Sequence, residues 1–151
     1  TFLRGYWRLE NAAYHGSGAT RNESYTGDPA WGDICFDADL VPIAGETHNI
    51  NLRVQGARRS YAVGLAPHNR LVIYKKTGTY EVVSEADCPW RLGALYRLRV
   101  EVKGATIAAS VDDRVSLTWT DTDRPYLHGQ IGFSNFASHT RYERLEVRGN
   151  A

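Results

Sequence analysis

Cysteine is scarce in this sequence: Cys35 and Cys88 are the only two among 151 residues. Their wide separation fits neither a disulfide framework nor the thiolate spacing of a zinc site. Cys35 lies inside a strand-like run and Cys88 beside Pro89, so two buried thiols are expected rather than a bond. Long apolar runs are missing too, so no segment has the length and apolarity of a membrane-spanning helix, and there is no charged-then-apolar leader. An excess of one charge sign is also absent, with 18 Lys and Arg against 17 Asp and Glu. That balance gives no global field toward nucleic acid or an anionic membrane, so neither is expected as a partner and neutral ligands are favoured. The basic pairs Arg58-Arg59 and Lys75-Lys76 are flanked by aromatic or turn residues and read as solvated strand edges. The five histidines, His15, His48, His68, His128 and His139, lack the i, i+2 or i, i+4 spacing that aims two imidazoles at one metal. No zinc site is expected.

Helical periodicity is absent as well; what the sequence has instead is a period of two. In "DICFDADLV" Ile34, Phe36, Ala38 and Leu40 alternate with Asp33, Asp37 and Asp39, so one face packs on a core and the other meets water. "NINLRV" sets Ile50, Leu52 and Val54 against Asn49, Asn51 and Arg53, and "YRLRVEV" sets Tyr96, Leu98, Val100 and Val102 against Arg97, Arg99 and Glu101. Further strand-like runs cover 61–65, 71–76, 80–85, 106–111, 115–120, 130–134 and 141–148. Turn signals separate them at Asp28-Pro29, Pro67-His68-Asn69, Thr77-Gly78, Lys103-Gly104 and Asp112-Asp113. Many antiparallel strands in one short chain fold into two packed sheets, which predicts an all-β, two-sheet antiparallel sandwich of jelly-roll type. A content of 42% hydrophobic residues supports one core, so residues 1–151 read as a single domain. The start at Thr1 rather than Met suggests a domain excised from, or appended to, a larger enzyme. Trp7, Trp90 and Trp119 are candidate core fillers, each needing a partner for its indole N–H.

Catalytic signals are weak. "HGSGAT" lacks both the nucleophile-elbow and the phosphate-loop patterns and reads as a turn. Asp37 and Asp39, at i and i+2, fall within the roughly 5–10 Å that glycoside hydrolysis requires, but "DICFDAD" holds no Glu to act as a general acid. Solvated acids balancing cross-strand Arg or Lys are the simpler reading. Binding chemistry is better represented. If the strands carrying "DICFDAD" and "NINLRV" pair in one sheet, Asp33 or Asp37, Asn51 and Arg53 share a polar face. Sugar hydroxyls both donate and accept, so a carboxylate beside a forked donor holds two of them while an aromatic face covers the ring. Trp31, Tyr61 and Tyr74 are the candidate platforms. A cross-strand ion pair between Arg53 and an Asp, with no ligand, is the competing explanation.

Taken together, "WRLENAAYHGSG", "YTGDPAWGDICFDADLVP", "LRVQGARRSYAVGLAPHNRLVIYKK", "PWRLGALYRLRVEVKGATIAASVDD" and "HGQIGFSN" resemble the concanavalin A-like lectin/glucanase superfamily over nearly the whole chain. The resemblance is nearest to the non-catalytic sandwich modules of bacterial glycan-active enzymes, and to the C-terminal lectin-like domain that follows ADP-ribosylglycohydrolase-family catalytic domains. It implies a jelly roll that binds carbohydrate on a concave sheet or loop-rimmed edge, with Arg53 and Tyr61 near the binding face. It also implies the option of a structural calcium, for which Asp112-Asp113 and Asp121-Thr122-Asp123 are the nearest segments, although tight turns explain both more simply. The glucanase acid triplet is absent. The expected function is a non-catalytic carbohydrate-binding module that targets or orients a partner catalytic domain, using Trp31, Asp33, Asp37, Asn51, Arg53, Tyr61 and Tyr74 and no cofactor. The alternatives are a structural accessory domain of an ADP-ribosylglycohydrolase-like enzyme and a glucanase-type glycoside hydrolase.

Overall fold

A computed structural model describes residues 2–149. The strands are β1 (Phe2–Arg4), β2 (Tyr6–Glu10), β3 (Ala13–Ser17), β4 (Arg21–Thr26), β5 (Ile34–Ala44), β6 (His48–Val54), β7 (Arg59–Ala66), β8 (Arg70–Thr77), β9 (Thr79–Asp87), β10 (Tyr96–Lys103), β11 (Thr106–Val111), β12 (Val115–Thr120), β13 (Gln130–Phe136) and β14 (His139–Gly149). They form two antiparallel seven-stranded sheets, the first in the order β1-β4-β13-β6-β7-β8-β9 and the second in the order β12-β11-β10-β5-β14-β3-β2.

The alternating apolar residues fill the space between the sheets. Ile34, Phe36, Ala38 and Leu40 of β5, Ile50 and Leu52 of β6, and Leu98, Val100 and Val102 of β10 are all buried in one cluster with Val63, Leu65, Ile73 and Phe133. Burial of that apolar surface is the main driving force for the sandwich. The turn signals fall between strands, and His68, Asn69, Asp112 and Asp113 adopt the left-handed conformation that two-residue hairpin turns require. Trp7 and Trp90 lie against the core with their indole N–H groups donated to the carbonyls of Arg4 and Ala66. Cys35 and Cys88 are free thiols, and burial raises the Cys88 thiol above its ordinary value.

Three expectations need correction. "HGSGAT" is a turn only from Gly18 onward, because His15, Gly16 and Ser17 belong to β3. Around it, β1 to β4 carried no legible apolar period: β2 has no buried residue, and β4 buries the polar residues Asn22, Glu23 and Ser24. Next, β5 and β6 lie in different sheets, so Asp37 does not share a polar face with Asn51 and Arg53. Finally, the acids of β5 are not solvated. This strand sits mid-sheet between β10 and β14, which hold Arg97, Arg99, Arg144 and Arg148 over Asp37 and Asp39.

Candidate functional site

Arg53 occupies a β-bulge. Its strand pairs Asn51 with Gly132 and Val54 with Gln130, so two residues of β6 oppose one of β13, and Arg53 takes φ 50°. The extra residue resets the alternation and turns the side chain off the sheet face into the protein, where it is 1% exposed. There the guanidinium donates to the carbonyls of Gly32 (3.2 Å), Gly104 (2.6 Å) and Tyr126 (2.7 Å), and to Asp33 Oδ1 (3.0 Å). Asp33 in turn accepts the Gly104 N–H. Burial lowers the Arg53 pKa and the Asp33 carboxylate opposes that, leaving a charged clamp on three loops rather than a free hydroxyl donor.

Tyr61 points into the core, donates to Asp121 Oδ2 (2.6 Å) and accepts the Tyr126 N–H (2.9 Å). It offers no stacking face. Asp37 is 1% exposed, bound by Arg99 and Arg148, and Asp39 is held by Arg97 and Arg144. Both acids of the hydrolase reading are thus committed to ion pairs on the second sheet. Trp31 is half-buried against the core, its ring so near Gly27 that a β-carbon there would lie 2.6 Å from it.

The remaining two candidates converge on the outer face of the first sheet. A cleft of about 320 Å³ there is lined by Arg21, Thr47, Asn49, Tyr74, Thr79, Tyr80, Ser134, Asn135 and Phe136. Tyr74 packs edge-to-face on Tyr80 at 5.9 Å, and burial pushes its hydroxyl up to about 12. Asn51 lies beneath the cleft rather than in it. Fully buried, it donates to Tyr80 Oη (3.1 Å) and Ser60 Oγ (3.2 Å) and accepts from Ser134 Oγ (2.6 Å), fixing two of the lining side chains. Deeper on the same face, Lys76 Nζ meets Glu23 Oε1 at 2.6 Å with both side chains buried. Tyr80 caps this pair, its hydroxyl 3.1 Å from Glu23 Oε1 and its ring centre 4.8 Å from Nζ.

Arg21, Thr47, Asn49, Tyr80 and Phe136 were not among the expected site residues. Asn49 was legible, since it belongs to the same polar row of "NINLRV" as Asn51. Phe136 left a trace as well: it stands three residues after the core residue Phe133, so a strict period of two sends it to the opposite face, where it is 58% exposed. Arg21 and Thr47 carried no signal.

Two carboxylates of the acidic segments suggested for calcium already have protein partners. The Asp121 carboxylate is taken by Lys75, the Tyr61 hydroxyl and the Asp123 N–H, and Asp112 Oδ1 accepts the Arg97 N–H. Among the described residues, no three His, Cys, Asp or Glu side chains converge on one point.

Among solved structures, the chain is similar to the carbohydrate-binding module CBM66 from Bacillus subtilis, with a TM-score of 0.88 at 18% identity over 97% of this chain and 94% of that one. The fold is a lectin-type β-sandwich. This lectin-type sandwich is also similar to a Bacillus subtilis protein of unknown function with a galectin-like fold, with a TM-score of 0.76 at 14% identity over 98% of this chain and 88% of that one. It is similar too to the exoplasmic/lumenal domain of VIP36 bound to Ca2+ and Man3GlcNAc, with a TM-score of 0.72 at 10% identity over 99% and 83%. The concanavalin A-like fold implied by the sequence motifs is therefore the one observed. No family model matches the chain, and no curated protein matches it by sequence.

Proposed function

We propose that this lectin-type sandwich is a carbohydrate-binding module without catalysis of its own, and that its saccharide lies in the cleft on the outer face of the first sheet. The observation that carries this reading is the exposed ring of Phe136 beside the polar groups of Arg21, Thr47 and Asn49. An apolar face next to a few convergent donors and acceptors suits a sugar ring, whose C–H side stacks while its hydroxyls are hydrogen-bonded. Asn49 lines the same cleft, and among the described residues its buried amide oxygen has no hydrogen-bond partner. Tyr80 and Ser134 are pre-set by Asn51, so little ordering is left for binding. The similarity to a carbohydrate-binding module and to a glycan-bound lectin domain supports the ligand class. By the same analogy, the module tethers or orients a catalytic domain.

Titration of the protein with neutral mono- and oligosaccharides, followed by backbone amide shifts, tests the reading. Shifts should cluster at 47–49, 74–80 and 134–136. Phe136→Ala should leave the fold intact and weaken binding tenfold or more, about 1.4 kcal/mol. A spectrum silent to every saccharide would favour a purely structural domain.

A further inference from the structure

A second cavity, of about 710 Å³, lies at one end of the sandwich between the β6–β7 turn, the β8–β9 hairpin and the loop joining β12 to β13. Its ionisable lining is unbalanced. Arg58, Arg59, Lys75 and Arg124 line it against one carboxylate, Asp123. Lys75 is already committed, with Nζ 2.7 Å from Asp121 Oδ2 and 5.2 Å from the centre of the Tyr126 ring. Among the described residues Arg58, Arg59 and Arg124 form no ion pair, and all three are exposed. Three unneutralised guanidiniums therefore face one concavity in a protein whose overall charge is only +1.

The floor of this cavity is rigid. Tyr126 is held by its carbonyl to Arg53, by its N–H to Tyr61 and by its hydroxyl to the Lys76 carbonyl. Arg124, two residues earlier, is held at φ 51°, a left-handed conformation that non-glycine residues adopt at a cost and that concentrates at binding sites. Like charges gathered on fixed loops repel one another, and a bound anion relieves that repulsion.

We propose that this cavity is an anion subsite that takes the carboxylate, sulfate or phosphate group of an acidic saccharide. The forked donors of Arg58, Arg59 and Arg124 match the paired oxygens of such groups. The choice of a saccharide as the bearer rests on the function proposed above, whereas the anion site stands on its own lining. The sequence had favoured neutral ligands and a solvated Arg58-Arg59 edge, and the fold brings that pair together with Arg124 from a distant loop.

The test compares oligogalacturonate, a carrageenan-derived sulfated oligosaccharide and a phosphorylated hexose with a neutral oligosaccharide, by amide shifts at two salt concentrations. The three acidic probes distinguish carboxylate, sulfate and phosphate. At least one should shift residues 55–59 and 123–126, bind more weakly at high salt as screening predicts, and lose tenfold or more in affinity in the triple variant R58A/R59A/R124A. Shifts at 55–59 and 123–126 are read separately from those at 47–49 and 134–136, so a failure of the sheet-face reading is separable from a failure here. The proposal is overturned if no acidic probe shifts those residues, if the triple variant binds as well as the parent, or if the neutral oligosaccharide or a short DNA duplex shifts them equally.

Discussion

At the scale of single residues, Arg53 and His48 show how much of this fold depends on polar groups inside it. Arg53 gathers carbonyls from the β4–β5 loop, the β10–β11 hairpin and the β12–β13 loop onto one guanidinium. Removing it leaves those acceptors unpaired, while Asp33, whose side chain is 40% exposed, can turn to water. Arg53→Ala should therefore lower stability by roughly 3 kcal/mol in urea unfolding, since a hydrogen bond to a charged group contributes about 1.5–3 kcal/mol. Arg53→Lys should restore only part of it, because an ammonium cannot reproduce the planar fork. Neither change should touch saccharide binding at the sheet face if the protein is folded. His48, fully buried, makes hydrogen bonds with the Thr140 hydroxyl (2.6 Å) and the Gly45 carbonyl (2.9 Å), and burial lowers its pKa from 6.5 to about 4. The unfolded chain then binds more protons than the folded one between those values. Stability contributed by neutral His48 is fully present above about pH 6.5 and is lost as pH falls toward 4, by up to about 3 kcal/mol. Urea midpoints measured from pH 7 to pH 4 should show that slope, and it should flatten in His48→Gln.

At the scale of elements, the strands with apolar alternation were legible even where, as in β6, the polar side is buried too, and those without it were not. The runs from β5 to β14 could be placed from the sequence because one side of each meets the core. By contrast, β4 buries Asn22, Glu23 and Ser24, and the partners of the first two, Asn135 and Lys76, come from strands far along the chain. Bulges defeated the face assignments for the same reason. Arg53 in β6 and Arg144 in β14 both sit at left-handed bulge positions, φ 50° in each case, and only the partner strand's register reveals them. Of the candidate site, Tyr74 and the polar row of "NINLRV" were legible. Arg21, Thr47 and Tyr80 were not, because they arrive from other strands and a neighbouring loop. The pair formed by Glu23 and Lys76 joins β4 to β8 across three intervening strands. Breaking it should cost more than removing it: Glu23→Leu or Lys76→Met alone is expected to lose about 3–5 kcal/mol, and the double variant less than either single change implies. A double-mutant cycle by chemical denaturation measures this coupling, and additive losses would show the two side chains to be independent.

At the scale of the whole molecule, the two sheets divide the work. The first carries the cleft proposed for sugar on its outer face, and the loops at one end of the sandwich carry the cationic cavity. The second sheet spreads four arginines over two buried acids and holds the core closed. Its strand order carries a further implication. The strand latest in sequence, β14, is an interior member of the second sheet, inserted between β5 and β3. Until residues 139–149 are made, β3 and β5 have no neighbour on their facing edges, and β2 and β3 are cut off from the rest of the second sheet. The protein therefore cannot mature from its N-terminus as it is synthesised. Completion of the second sheet waits on residues 139–149, and until they are made the facing edges of β3 and β5 stay open to mispairing.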